Sequence, residues 1–411
     1  MTGFRWSTPP PLAGWLVAAA FFFYAWVLRV SPSVMIEELM RDFAVSGALL
    51  GQLSAWYFYG YAGMQIPVGM MLDRFGPRRL LTVAAITCAI GCVLFASGTL
   101  IHASIGRFLI GAGAAFSLVG SMAIASKSLP AHRFALFSGL AMMAGMAGGV
   151  LGQGPVRVVV EATDWRSTTL VAALGGAVIA LFAWLLIRDP VRQSIAGGAF
   201  RGARAVLANR ECWLNAAAGL ACTGPLLGFA ALWGVPFLET AYGLERATAA
   251  GMASLTFVGL GVGSPVVGWL SDKMGRRKPP MLIGLSIALS TFATLVYMPG
   301  LPLFVVGGLC LLVGIGAAGQ ICNFALVREH NAADVSATAI GLVNALITSA
   351  GAIYQPLIGW LLDRVWAGAE HAEHAGSRVY EAADYRMAFS AILIGGIFGL
   401  GCGFFLKESA K

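Results

Sequence analysis

The chain has 411 residues, 58% of them hydrophobic and only 11% charged, with a formal net charge of +8. Soluble domains carry about a quarter charged residues, so this composition leaves too little polar surface to face water and excludes a soluble globule. The positive balance does not point to nucleic acid, because the basic residues are spread over short polar segments with no basic patch interleaved with stacking aromatics.

A membrane-spanning helix needs roughly 20 mostly apolar residues. Twelve such runs follow one another, at about 13–36, 47–71, 80–99, 102–126, 135–160, 168–187, 212–238, 247–270, 280–298, 302–326, 335–362 and 386–406. None alternates with period two, which argues against a barrel. The first eleven residues hold one arginine and a proline run, and the apolar stretch opening near Trp15 is too long for a cleaved signal, so it reads as a retained first helix. The expected architecture is all-α, with both termini on one side.

Lys and Arg set the orientation. With the N-terminus in the cytoplasm, the cytoplasmic segments hold 18 basic residues. The other side holds seven: Arg41, Arg157, Arg166, Arg246, Arg364, Arg378 and Arg386. Both termini are therefore expected inside, in an inner membrane whose lipids are the chain's surroundings. The longest cytoplasmic link is basic and glycine-containing. It divides the chain into an N-terminal half (1–189), a linker (190–211) and a C-terminal half (212–411).

The halves repeat. Gly69-Met70-Met71-Leu72-Asp73-Arg74-Phe75-Gly76-Pro77-Arg78-Arg79 closes the second span, and Gly268-Trp269-Leu270-Ser271-Asp272-Lys273-Met274-Gly275-Arg276-Arg277-Lys278 closes the eighth. Each Gly–Asp–Gly triplet is displaced by the same 199 residues (69 to 268, 73 to 272, 76 to 275). The first glycine of each copy allows another helix to approach. The aspartate can face the positive N-terminal end of a helix from the other half. The next glycine permits a tight turn, and the basic cluster anchors the loop among headgroups. Gly69, Asp73, Arg74, Gly76 and Arg78, with Gly268, Asp272, Lys273, Gly275 and Arg276, are the expected latch between halves.

These two segments resemble the signature loop of the major facilitator superfamily, G-x-x-x-D-[RK]-x-G-[RK]-[RK], with Pro77 as a one-residue insertion in the first copy. Arg107-Phe108-Leu109-Ile110-Gly111-Ala112-Gly113 is similar to the family's R-x-x-x-G-x-G in helix 4. The resemblance implies twelve helices in two pseudo-symmetric halves and transport by alternating access. Helix 5 departs from the antiporter pattern, because Gly154-Pro155 comes late in the span.

Ionisable groups inside spans are costly and mark function. Arg29 and Arg107 are expected at similar depth in helices 1 and 4, where two guanidiniums make a fork for a carboxylate or phosphate. Snorkelling by Arg29 and a structural role for Arg107 stand as the alternatives. Tyr57, Tyr61 and Gln65 share one helical face. The segment from Tyr57 to Pro67 resembles the organic-anion branch of the family, which uses arginines in helices 1 and 4. Prokaryotic relatives of lysosomal dipeptide carriers fit equally well. In the C-half, Trp233, Gln320, Asn323, Asn344 and Tyr354 are candidate contacts, along with Asn215, Thr223 and Gln355. No Asp or Glu falls in mid-span, and Ala114 stands where proton-coupled members often carry an acid.

The expected function is a carrier, acting as a monomer, for a small carboxylate-bearing solute such as an organic acid, amino acid or short peptide. Efflux of drugs or hydrophobic compounds and a non-transporting membrane sensor are the competing readings. No enzyme, cofactor or metal is expected. The seven cysteines are scattered without ligand spacing, and His371 and His374, beside Glu370 and Glu373, read as a solvated loop.

Overall fold

The computed structural model describes residues 11–128, 134–189, 207–331, 336–366 and 380–408. The His371–His374 loop and most of the 190–211 linker lie outside the described residues. Within them the chain is helical, and its spans are α1 (Pro11–Val30), α2 (Gly47–Phe75), α3 (Pro77–Ala96), α4 (Leu100–Ser128), α5 (Phe134–Leu151 and Gly154–Ala162), α6 (Trp165–Leu186), α7 (Arg210–Tyr242), α8 (Arg246–Met274), α9 (Lys278–Tyr297), α10 (Leu303–Ala317 and Gln320–Glu329), α11 (Ser336–Val365) and α12 (Ala382–Phe405). Ten are long and apolar enough to cross a membrane, and α2 and the broken α5 complete the twelve. Large apolar side chains such as Ile101, Phe304, Phe398 and Phe405 stand on the outside of the bundle. Such a surface suits lipid, where helices satisfy their own backbone groups.

Several spans expected to be continuous are broken. The α-helical part of α1 stops at Val30, passes through a 3-10 turn (Ser31–Val34) and gives way to a short helix, Ile36–Phe43. Pro32 has no amide hydrogen to continue the ladder. Arg29 therefore lies in the last α-turn rather than well inside a helix running to residue 36. In α5, Pro155 cannot donate to the Leu151 carbonyl, and the helix restarts at Gly154. The middle of α7, Pro225–Trp233, is wound as a π-helix.

The halves are built alike. In the N-half α2 packs on α4, α3 on α6 and α1 on α5; in the C-half α8 packs on α10, α9 on α12 and α7 on α11. The repeat reaches into these crossings, at 199 residues between α2 and α8 (60 to 259) and 203 between α4 and α10 (111 to 314). A Cβ on Gly60 would strike the Phe108 carbonyl, and one on Gly259 the Leu311 carbonyl. Gly111 is pressed on the carbonyl of Tyr57, and Gly314 on that of Thr256. Glycine thus lets backbones touch at matching places in both halves.

Between halves, α2 lies along α11 and α5 along α8. Call the end of the bundle that carries the start of α1 and the end of α12 the terminal face, and the opposite end the far face. Of the polar contacts described between halves, all but Gln65–Asn344 lie toward the far face. The molecule is therefore fastened at its far face.

Candidate substrate site and gates

Arg29 reaches from the end of α1 into a box of aromatic rings. Its guanidinium carbon lies 4.2 Å from the Trp26 ring centroid, 4.7 Å from that of Tyr61 and 5.2 Å from that of Tyr57. Its Nε donates to the Tyr57 hydroxyl at 3.1 Å. Tyr57 and Tyr61 are stacked one turn apart on α2. The residue is only 6% exposed and has no carboxylate partner among the described residues. Ring quadrupoles ease the burial of such a cation without neutralising it.

Arg107 rests on the same Tyr57 ring, at 5.0 Å, and Nη1 donates to the Leu28 carbonyl at 2.8 Å. Its Nε and Nη2 are buried and have no protein partner among the described residues. Arg107 lines a cavity of about 40 Å³ together with Ser31, Cys92, Thr168 and Thr169 among others, all of the N-half. The two arginines thus share one tyrosine but do not converge as a fork in this conformation.

Gln65, two turns below Tyr57, accepts from the Asn344 amide at 3.0 Å across the two halves. Tyr59 points outward, as its place off the Tyr57–Tyr61–Gln65 face requires. In the C-half the polar side chains are turned onto neighbouring helices. Trp233 Nε1 donates to the Gln355 carbonyl at 2.9 Å, and Gln355 Nε2 to the Leu227 carbonyl at 2.8 Å. Thr223 donates to Ile347 and Asn215 to the carbonyl of Asn323. Asn323 is fully buried, with no partner for its side-chain amide among the described residues. Tyr354 packs against Gly224 and Gly228, and Gln320 opens the second piece of α10 half-buried.

At the terminal face, Gly76 (φ +83°) and Gly275 (φ +62°) make the turns that their sequence position implies. Nothing lies within 4 Å of a Cβ built on Gly69 or Gly268. The close helix approach expected at those two glycines is not made here, since the halves are fastened at the other end. Asp272 pairs with Arg277 of its own loop at 2.5 Å and is otherwise open to solvent. The side chain of Asp73 lies outside the described residues. The basic residues turn to their own halves: Arg78 to the Trp184 carbonyl (2.7 Å), Arg74 over Phe75, Lys273 over Trp269 and Arg276 toward Glu408.

The far face holds what the sequence did not single out. Arg157, counted there as a loop residue, is buried and joins Glu38 (2.6 Å), Glu161 (2.8 Å) and the Val34 carbonyl (2.9 Å). Arg246, at the start of α8, pairs with Glu239 (2.7 Å) and crosses to Glu37 and Glu38 of the N-half. The i,i+4 spacing of Arg157 and Glu161 was the only local sign. Beside this network, partial burial opposes ionisation of Asp42, but hydrogen bonds from Trp165 Nε1 and the Arg166 guanidinium outweigh it and hold the carboxyl below its usual pKa.

The profile of the Major Facilitator Superfamily matches residues 15–355 and, in a second match, 216–410. The chain belongs to the major facilitator superfamily. Superfamily members are transport proteins rather than enzymes, and this one is a multi-pass membrane protein. It is 26% identical over 282 residues to a probable sulfoacetate transporter of Cupriavidus necator, covering 64% of this chain and 65% of that relative, a little under two thirds of its length. It is 24% identical over 347 residues to a gentisate transporter of Corynebacterium glutamicum, covering 79% of this chain and 75% of that protein. The fold matches a bacterial homolog of the human lysosomal transporter Spinster, crystallised inward-facing and occupied, with TM-score 0.78 at 18% identity over 98% and 97% of the two chains. A D-xylose-proton symporter gives TM-score 0.74 at 17% identity over 97% and 98%.

Proposed function

We propose that this protein is a secondary carrier that moves a small organic anion across the inner membrane by alternating access. In this reading both termini are cytoplasmic, so the terminal face is the inner side, the far face is the outer side, and the structure is an inward-facing state. The observation that carries the reading is the Arg29 guanidinium, buried in the Trp26–Tyr57–Tyr61 box without an acidic partner among the described residues. A buried cation without a partner is destabilising, and a bound carboxylate or sulfonate relieves it with charge-assisted hydrogen bonds. Sulfoacetate and gentisate, named for two relatives, both carry a carboxylate, which supports the same class.

Arg107 supplies a second positive charge behind Tyr57. Gln65 and Asn344 join the halves beneath this box and, in this reading, touch the cargo as it crosses. Of the C-half candidates, Gln320 keeps part of its surface open and is retained for the opposite wall, while Trp233, Asn323 and Tyr354 are buried against neighbouring helices. The test is flux into proteoliposomes of purified protein, with gentisate and sulfoacetate as anionic probes and D-xylose as a neutral one. Saturable uptake of an anionic probe, inhibited by the other and not by the sugar, supports the reading. Binding of hydrophobic cations with no anion flux would favour efflux of drugs, and absence of any flux a sensor.

A further inference from the structure

The first amides of a helix have no acceptor within it and carry the positive end of its dipole. At α2 the neighbouring Ser46 makes no side-chain cap. The cap comes instead from the other half. Asp363, in the last turn of α11, accepts from Gly47 N at 3.3 Å with one oxygen and from Ala48 N at 2.8 Å with the other. The Tyr380 hydroxyl donates to the first oxygen at 2.6 Å and also receives the Gly47 amide at 3.0 Å. Glycine brings the two helices close enough for this. A Cβ on Gly47 would lie 3.2 Å from the Gly359 carbonyl, and one on Gly51 would strike Gln355 and Pro356.

The capping acid sits in a third copy of the repeated motif. Gly359-Trp360-Leu361-Leu362-Asp363-Arg364 matches Gly268-Trp269-Leu270-Ser271-Asp272-Lys273 and Gly69-Met70-Met71-Leu72-Asp73-Arg74 as G-x-x-x-D-[RK], but it ends its helix at the opposite face. α2 and α11 run antiparallel, with Gly51 against Gln355, Phe58 against Gly351 and Gln65 against Asn344.

We propose that Asp363 is the far-face latch of this carrier: its cap on α2 is made while the far face is closed, as here, and is broken when the transport cycle opens that face. The proposal rests on the alternating-access reading. Removing the carboxylate leaves the first amides of α2 without their acceptor and shifts the balance toward the far-open state. Tyr380 holds the Asp363 carboxylate in place.

The test is distance measurement between spin labels across each face, in full-length protein reconstituted in nanodiscs. Asp363→Ala is expected to raise the ratio of far-open to far-closed molecules by roughly tenfold, as for loss of a helix cap. Tyr380→Phe should move it the same way by less, and Asp363→Asn, which keeps a capping oxygen, should move it less than Asp363→Ala. Arg246→Ala, which breaks the separate ion-pair bridge, is the positive control for far-face opening. Helix content and a monodisperse elution profile report folding of each variant, and Tyr380→Phe carries the claim if Asp363→Ala folds poorly. If Arg246→Ala opens the far face while Asp363→Ala leaves the ratio within twofold of wild type, the latch is overturned and alternating access stands. If wild type and every variant hold one conformation, with or without anion, alternating access falls and the latch with it.

Discussion

Arg29 and Tyr57 are joined twice, by a hydrogen bond from Nε to the phenolic oxygen at 3.1 Å and by the ring lying 5.2 Å from the guanidinium carbon. The hydroxyl fixes which edge of the guanidinium is left for a ligand. Tyr57→Phe keeps the ring and removes that restraint. Anion affinity is expected to fall by about three- to tenfold, since a hydrogen bond of this kind contributes about 0.5–1.5 kcal/mol. Calorimetry on purified variant measures it, and unchanged affinity would show that the bond orients nothing.

Arg107 acts through the same ring from deeper in the N-half. Arg107→Ala is expected to weaken anion binding by up to roughly tenfold, less than loss of Arg29, because its Nη1 is committed to the Leu28 carbonyl. Affinity equal to wild type, with lowered thermal stability, would make Arg107 a structural residue alone.

The crossing of α2 and α4 positions both. Gly111→Ala would drive a methyl group into the Tyr57 carbonyl, where backbone has no freedom to yield. Overpacking of this kind costs about 1–3 kcal/mol. Gly111→Ala and its counterpart Gly314→Ala should both lower the unfolding temperature, but only Gly111→Ala should also weaken anion binding. Gly308→Ala, where a Cβ meets nothing within 4 Å, is the neutral comparison.

Coupling is the fourth expectation. The acids of the described spans sit at their ends: Asp272 and Glu329 at the terminal face, Glu239 and Asp363 at the far face. Ala114 is buried where an acid would serve a proton relay. Uptake into vesicles with an imposed pH gradient and clamped voltage should therefore not become concentrative. Accumulation abolished by a protonophore would contradict this and direct attention to Glu37, Glu38 and Glu239.

Hydropathy made the twelve spans legible because lipid exposure leaves its mark on composition, and the 199-residue repeat made the halves legible. Arg29 stood out for the same reason: a charge within a span has to be used. What hydropathy does not carry is which way a side chain turns. Arg107 reads as a partner of Arg29 from depth alone, yet the 3.6-residue turn of α4 sends its free edge into the N-half. Trp233 and Gln355 read as cavity residues, yet they bond to neighbouring backbone. Gly152, beside the break in α5, lies where a Cβ would strike Val27 and Val30 of α1, a close approach that no local pattern records. Asp363 was missed because its motif lacks the second glycine and the paired basic residues that make the other two copies conspicuous.

The central claim is tested most directly by the affinity of folded, detergent-stable Arg29→Ala and Arg29→Lys for gentisate and sulfoacetate. A charge-assisted bond contributes about 1.5–3 kcal/mol, so the alanine variant should bind the anion that wild type binds roughly ten- to a hundredfold more weakly. Lysine should recover only part of this, because it lacks the planar fork. Binding by Arg29→Ala as tight as wild type would contradict the account, leaving the aromatic box around Arg29 as packing and the organic-anion assignment without its main support.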